Sequence, residues 1–288
     1  MKKIFLLLLL VALFVSCKKS PKPSGASTSH INTITGRFII RNNGRLYIIH
    51  RTLTLSYIGY NAVKITFPDF PYFGSIVLTY SGNNCTKISF YDSTNSNILC
   101  SHNIAYNSNN QVTMINSYQY YSNGGGVTFS QEYTFQYNGL SLSKIFEQSS
   151  NAMKGLVVYY NVTQDPITND ITRLRINQID TAVNYYDTFV DYTFTNNATQ
   201  NKQSLLFPVL WLIEGTISID NANFSDITTA IPYFNTHQVI NDSASAIGLD
   251  SGLSGTYQYL NDNNGNTIQR IDQGTYSEGI DTVQYSYK

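Results

Sequence analysis

Apolar and polar positions recur in a two-stranded pattern through the first half of the chain. Four segments align without gaps: LSYIGYNAVKI (55–65), LTYSGNNCTKI (78–88), IAYNSNNQVTM (104–114) and FQYNGLSLSKI (135–145). Each has an apolar residue, a Tyr two positions later, a polar stretch with Asn or Gly, and an apolar residue eight positions after the Tyr. Because strand side chains alternate between faces and Asn/Gly clusters reverse the chain, each segment predicts a β-hairpin whose last apolar residue returns to the face of the Tyr.

The same pattern predicts how the hairpins assemble. The four tyrosines are 23, 26 and 31 residues apart, as in a repeated unit with variable connections, and a fainter copy lies at 257–271. A single hairpin is marginally stable, so neighbouring hairpins must pair to bury their shared face. We therefore predict an all-β domain over residues 33–288, an antiparallel meander of repeated hairpins that forms a curved sheet, an open barrel or a sandwich.

One apolar stretch breaks this pattern. The nine residues LLFPVLWLI (205–213) are too few to span a membrane, and Pro208 disfavours the centre of a helix or of an inner strand. We expect core packing, as a buried strand or a short helix on the sheet. The alternative is a docking patch for a partner, anchored by Trp211.

The N-terminal residues have the pattern of an export and acylation signal. Two lysines precede twelve apolar residues (4–15), and Ser16-Cys17 resembles the bacterial lipobox, in which the cysteine carries the lipid. We predict a signal peptide over 1–16, then acylated Cys17 and a flexible tether to residue 32. The expected location is the cell envelope, on the outer membrane, with the periplasmic and surface faces both open.

Composition supports a β-rich exported protein. The 288 residues include 23 Tyr and 15 Phe but one Trp, and aromatic and β-branched residues favour strands. Without Lys2 and Lys3, 16 basic residues remain against 18 acidic ones, a net charge of −2. This nearly neutral chain lacks the excess of basic residues that is typical of nucleic-acid-binding proteins.

The hairpin motifs, the lipobox and the Asn-rich mature chain together resemble uncharacterised lipoproteins of Bacteroidota with YD/RHS-like β-hairpin repeats. The likeness covers roughly residues 50–275, and 201–212 resembles the mid-chain apolar insertion of those proteins. The Tyr-Asp pair that names YD repeats is absent from the aligned Tyr positions. The resemblance implies a fold and no activity.

Motifs for catalysis and cofactors are missing from the sequence. It has no G-x-S-x-G, H-E-x-x-H, P-loop or dinucleotide fingerprint, and no Cys/His spacing typical of zinc, so we expect no cofactor and no metal. We favour a non-enzymatic binding module for an envelope protein or a polysaccharide. A glycan-active hydrolase is the competing class, and a purely structural surface lipoprotein is a third. The acids of a hydrolase would come from one crowded region: Asp165, Asp170, Asp180, Asp187 and Asp191.

Several further residues are candidate sites. Exposed strand tyrosines can stack on sugars or bind proteins, and the candidates are Tyr118, Tyr120, Tyr121, Tyr185 and Tyr186. Four Asp-Ser/Thr motifs resemble the Bacteroidota O-glycosylation site and predict glycans at Ser93, Thr181, Ser243 and Thr282. Cys85 and Cys100 are either a disulfide or two independent buried thiols.

Overall fold

The structure is a computed structural model. It describes residues 30–42, 45–59, 61–67, 73–120, 126–149, 156–180, 185–201, 217–218, 234–246, 253–274 and 280–287. No helix within these ranges is long and apolar enough to cross a membrane.

The described residues fold as strands joined by turns. In chain order the strands are β1 (Ile31–Asn42), β2 (Arg45–Ile58), β3 (Asn61–Thr66), β4 (Phe73–Ser81), β5 (Asn84–Asp92), β6 (Ile98–Tyr106), β7 (Val112–Tyr120), β8 (Val127–Asn138), β9 (Ser141–Ser149), β10 (Leu156–Gln164), β11 (Ile171–Asp180), β12 (Tyr185–Gln200), β13 (Ile217–Ser218), β14 (His237–Ala246), β15 (Leu253–Asn261), β16 (Thr267–Gly274) and β17 (Ile280–Tyr287).

Sixteen of these strands close into a barrel. From β1 to β12 each strand pairs antiparallel with the next, β12 pairs with β14, and β14 to β17 continue the meander. The ring closes where β17 pairs antiparallel with β1, through Ile34 opposite Tyr285 and its neighbours. The two-residue β13 lies outside this ring order and pairs parallel with the end of β1. The all-β antiparallel meander is thus confirmed, and its sheet closes.

The inward face of the barrel wall is apolar along β1 to β5. The register places Ile34 opposite Leu53, Leu55 opposite Ile65, and Ile65 opposite Ile76, and each of these side chains is at most 1% exposed. Many outward positions are polar and exposed: Thr52, Thr54, Lys64, Thr66, Thr79, Ser245, Thr256, Gln258, Gln273, Gln284 and Ser286. Others are half-buried, as at Val77, Tyr118 and Phe146, or buried, as at Ser75 and Ser89.

Burial on the inner face shows that the interior is filled. A sixteen-stranded barrel of round cross-section would enclose a water-filled channel. Here, inward side chains from Ile31 to Tyr285 form one hydrophobic core. Residues such as Ile34 and Ile88, at 0% exposure, therefore do not line an open channel.

The four segments predicted as hairpins form β2–β3, β4–β5, β6–β7 and β8–β9. The third differs in its turn. Tyr80 lies opposite Cys85, whereas Tyr106 lies opposite Val112, one residue further on. Ile115 therefore joins the core at 0% exposure, and the prediction that Met114 returns to the face of Tyr106 is wrong.

Tyrosine hydroxyls form hydrogen bonds between neighbouring hairpins at the end of the barrel where these hairpins turn. They donate to backbone carbonyls, from Tyr57 to Ile31 (2.5 Å), Tyr106 to Cys85 (2.9 Å), Tyr137 to Val112 (3.0 Å) and Tyr287 to Thr267 (2.8 Å). Burial raises the pKa of Tyr57 and Tyr137 to about 12, so both hydroxyls keep their protons. Three of the four tyrosines of the sequence pattern, Tyr57, Tyr106 and Tyr137, thus form a hydrogen bond to a preceding strand.

Asn residues shape the longer turns. Asn107 Oδ1 accepts hydrogen bonds from the backbone N–H groups of Asn109 (2.9 Å) and Gln111 (3.0 Å), and Asn110 adopts φ 60°. Asn tolerates this left-handed conformation better than most residues, and its side chain caps the turn. Asp262 caps the turn between β15 and β16 in the same way, so Asp262-Asn-Asn-Gly-Asn is a hairpin turn.

The long connection from β12 to β14 is fixed at both ends. The Asn235 side chain accepts a bond from Ile171 N (2.7 Å) and donates one to Ile171 O (3.0 Å), as a neighbouring strand would. Asn201 N donates to Thr236 O at 2.7 Å. Residues 205–213, Trp211 included, lie outside the described residues.

Candidate binding surface on the outer wall

Two of the predicted binding tyrosines share the outer face of β7. Tyr118 and Tyr120 are half-buried, and the Tyr120 hydroxyl shares a hydrogen bond with Ser101 Oγ (3.0 Å). Ser101 also faces outward, opposite Tyr118, yet it is 1% exposed. These tyrosines therefore lie against small residues of the next strand, with part of each ring left accessible.

The other predicted binding residues have no described side chains. Tyr185 and Tyr186 belong to β12, but only their backbone is described, and Tyr121 lies outside the described residues. For these three, and for Trp211, a binding role stays a prediction.

A second outward surface, on β9 and β10, was not predicted from the sequence. Lys144 and Phe146 alternate with buried Ile145, and Phe146 lies opposite Tyr159 on the neighbouring strand. The Lys144 ammonium is 5.4 Å from the Phe146 ring centroid and 5.1 Å from that of Tyr159. The two rings are 6.4 Å apart at an interplanar angle of 36°. One lysine thus contacts two half-buried rings by cation–π interaction.

An ion-pair cluster extends this surface across β11 and β12. Arg175 lies opposite Asp191, with its Nη2 2.6 Å from Asp191 Oδ2, and Arg173 reaches the same carboxylate through Nε and Nη2, both at 3.0 Å. Hydrogen bonds from Arg175 above all, and from Arg173, lower the pKa of Asp191 to about 2 against the opposing effect of burial. Asp191 is therefore ionised at any physiological pH and holds both guanidinium groups in place.

We call these six residues the basic aromatic surface: Lys144, Phe146, Tyr159, Arg173, Arg175 and Asp191. Its middle row crosses four strands, because Lys144 is opposite Asn161, Asn161 opposite Arg175, and Arg175 opposite Asp191. At about 4.8 Å per strand this row is about 14 Å wide. Three cations against one carboxylate leave a local excess of two positive charges. The surface can bind a ligand that offers both a ring face and an anionic group.

The three predicted hydrolase acids whose side chains are described lie in different surroundings. Asp165 accepts backbone bonds from Ile167 and Thr168 (2.8 Å each), which lower its pKa and cap a turn. Asp170, with a side chain 2% exposed, is paired with His237 at 2.6 Å, and Asp191 lies on the outer wall with its two arginines. For Asp180 and Asp187 the structure describes the backbone only.

The interior contains a polar network whose members are buried, except for the partly exposed Glu147. His102 Nδ1 and Ser117 Oγ share a hydrogen bond of 2.8 Å, and Gln131 Nε2 donates to Glu147 Oε1 at 2.5 Å. Burial lowers the pKa of His102 to about 3, so the imidazole is neutral. His102, Ser117 and Gln131 are at most 6% exposed, which keeps the Ser–His pair away from any large substrate. Within the described ranges, no three His, Cys, Asp or Glu residues cluster as metal ligands.

The two cysteines are free thiols in the core. Cys100 lies opposite Phe90, five residues along β5 from Cys85, which corresponds to about 17 Å. A disulfide cannot span that distance, so the pairing alternative is wrong. Burial raises the pKa of both thiols to about 12.

The predicted glycosylation residues occupy different surroundings. Ser93 is exposed in the turn after β5, and Ser243 is exposed on β14, where its hydroxyl shares a 2.6 Å hydrogen bond with Thr193 Oγ1. Thr282 faces outward on β17 and is half-buried, and Thr181 lies outside the described residues. Modification at these positions stays a prediction.

Comparison with known proteins identifies the fold. No protein-family model matches the chain, and no curated protein matches it significantly. A porin-like protein from Bacteroides vulgatus matches 90% of this chain and 99% of its own, at 11% identity and a TM-score of 0.53. A porin-like protein from Bacteroides uniformis aligns with 90% of this chain over 98% of its own length, at 14% identity and a TM-score of 0.49. The first match supports the barrel fold alone, and the resemblance to hairpin-repeat lipoproteins stays a prediction.

Proposed function

We propose that this chain is a lipid-anchored protein of the cell envelope whose barrel stands in water and binds another envelope component. The component is a polysaccharide or an envelope protein, and the contact is made by the outer wall without catalysis. Cys17 carries the lipid, and residues 18–30 allow a reach of up to about 45 Å from it.

The faces of β2 and β3 carry this proposal. A membrane-spanning barrel has apolar residues outside and polar ones inside, with a girdle facing the lipid. Here Thr54, Lys64 and Thr66 face outward while Leu55 and Ile65 fill the core. Such a wall would leave charged and hydroxyl groups in hydrocarbon, so it favours a barrel outside the bilayer, held there by the acyl chains.

The filled core also argues against a role as a pore. Ile34, Ile76 and Ile88 are 0% exposed, whereas side chains that line an open channel would be in contact with water. What remains for function is the exterior, where strands β7 to β12 present aromatic and cationic side chains on rigid backbone. Preformed surfaces of this kind lose little conformational entropy when they bind.

Binding by the full-length acylated protein in mild detergent tests the proposal. The protein is applied to a glycan array and used in pull-downs from detergent-solubilised envelopes, alongside the variants Phe146→Ala and Tyr159→Ala. Thr256→Ala, exposed on β15 outside this surface, is the matched control. We expect a ligand that is retained by the native and control proteins and lost from both aromatic variants. Failure to retain anything in both assays, or retention unaffected by the two variants, would overturn the proposal.

A further inference from the structure

The proposed function leaves the ligand unspecified, and the basic aromatic surface narrows it. We propose that this surface binds an acidic polysaccharide, with uronate-type carboxylates on the arginines and sugar rings on Phe146 and Tyr159. The inference rests on the proposed binding function.

The first argument is local charge. The chain predicted to remain after signal cleavage has a net charge of −2, yet Lys144, Arg173 and Arg175 lie within four adjacent strands with Asp191 as their counter-ion. Even when the Glu132 carboxylate on β8, which accepts a hydrogen bond from Thr134 Oγ1 at 3.3 Å, is counted, the three cations outnumber the carboxylates. A positive patch on a slightly acidic protein attracts anions locally without making the whole protein bind them.

The second argument is the geometry of the arginines. Asp191 is bound by two guanidinium groups and is buried beneath them, while the Arg173 and Arg175 side chains are 46% and 40% exposed. A guanidinium has five N–H donors, and Arg173 uses two of them on Asp191. A carboxylate arriving from solvent can therefore be bound by Arg173 while Asp191 keeps the guanidinium oriented, as planar bidentate recognition requires.

The third argument is the pair of rings. Phe146 and Tyr159 are neighbours on adjacent strands and offer an apolar area beside the cations. The apolar face of a sugar ring packs on such a surface, and the Tyr hydroxyl can exchange hydrogen bonds with sugar hydroxyls. Lys144 lies close to both rings, so a stacked sugar with an acidic substituent meets a cation directly.

The fourth argument is shape. The surface lies on the outside of a pleated wall and its central row is about 14 Å wide, so it can contact several units of an extended chain. A polymer with repeating carboxylates matches both the width and the spaced cations. Repetition also strengthens weak contacts with a single sugar through multivalency.

The test compares acidic and neutral polymers on the full-length acylated protein in mild detergent. Polygalacturonate and alginate are the acidic probes, and dextran is the neutral one. We expect the acidic polymers to bind at low salt and to be released at 0.5 M NaCl, because exposed charges are screened at high ionic strength. The variants Arg173→Gln and Lys144→Met should each weaken binding about tenfold, the effect of losing one charged contact.

Lys64→Met is the matched control, since Lys64 is an exposed outward lysine on β3. It should leave binding unchanged. Lys64→Met and Lys144→Met should melt at the temperature of the native protein, and Arg173→Gln slightly below it, because Asp191 loses one of its two partners. Equal retention of dextran, or unchanged binding by Arg173→Gln and Lys144→Met, overturns the acidic-ligand inference and leaves the binding function standing. Retention of an envelope protein in place of any polysaccharide has the same consequence. Failure to bind anything in these assays or in the glycan array and pull-downs overturns both.

Discussion

Replacing Ile88 with alanine tests whether the barrel interior is packed. Ile88 is 0% exposed on β5 and lies between Leu78 of β4 and His102 of β6. The change removes three carbon groups, about 2.4 kcal/mol of transfer free energy at about 0.8 kcal/mol each. The cavity left behind adds to this, and buried Ile→Ala changes cost about 2–5 kcal/mol overall. In a protein of this size, the melting temperature should fall by about 5–15 °C.

The assay is urea and thermal unfolding followed by circular dichroism, with Thr79→Ala as the control. Thr79 faces outward on the neighbouring strand and is exposed, so its truncation should change the unfolding free energy by less than about 0.5 kcal/mol. In a water-filled lumen, Ile88 would already be solvated and its truncation would cost no more than the control. Equal small effects of the two variants would refute the filled interior.

Three further predictions concern single groups in the barrel. Tyr137→Phe should destabilise the protein by about 0.5–1.5 kcal/mol in urea unfolding, because the Val112 carbonyl loses its donor; no change would mean that water replaces the hydroxyl. The pKa of His102 is about 3 in the folded protein and near 6.5 in the unfolded chain. Between these two pH values only the unfolded state takes up the proton. The free energy of unfolding should therefore decrease as the pH falls from about 6.5 toward 3, by up to about 1.4 kcal/mol per pH unit. His102→Gln should flatten that part of the stability–pH curve, and an unaltered curve would contradict the assignment. In a Cys17→Ala variant, Cys85 and Cys100 should resist alkylation by iodoacetamide until the protein is unfolded, and the unfolded protein should then take up two labels. Rapid labelling of the native protein would contradict buried thiols, and no labelling after unfolding without reductant would contradict free ones.

The hairpins could be predicted from sequence because their signals are local. Apolar and polar residues alternate around Tyr80 and Ile88, which predicts two strands. Gly82, at φ 60° in the turn between them, predicts that the chain reverses there. Closure of the ring could not be predicted, because it depends on β1 and β17, about 250 residues apart, and their register has no local signature. The one-residue shift at Met114 arises because Asn107 caps a longer turn than the aligned segments have.

The candidate surface was missed for a different reason. Lys144, Phe146 and Tyr159 each belong to a short alternating strand, and alternation alone does not say which residues of neighbouring strands meet. Arg173 and Arg175 lie near the crowded acids Asp165 and Asp170 in the sequence, and nothing in their spacing predicts that both arginines bind Asp191. Once the inward residues Ile145, Tyr160 and Leu174 are known, the outward ones follow from the two-residue period.

Membrane partition of a protein without its lipid tests the central claim most directly. Residues 1–16 are replaced by a conventionally cleaved export signal and Cys17 by alanine, and membranes are extracted with alkaline carbonate. A barrel with a polar outer wall should then appear in the aqueous fraction, folded and with its native melting temperature, whereas the acylated protein should stay in the pellet. Retention of the folded Cys17→Ala protein in the extracted membranes would mean that the wall itself contacts lipid, and would contradict this account.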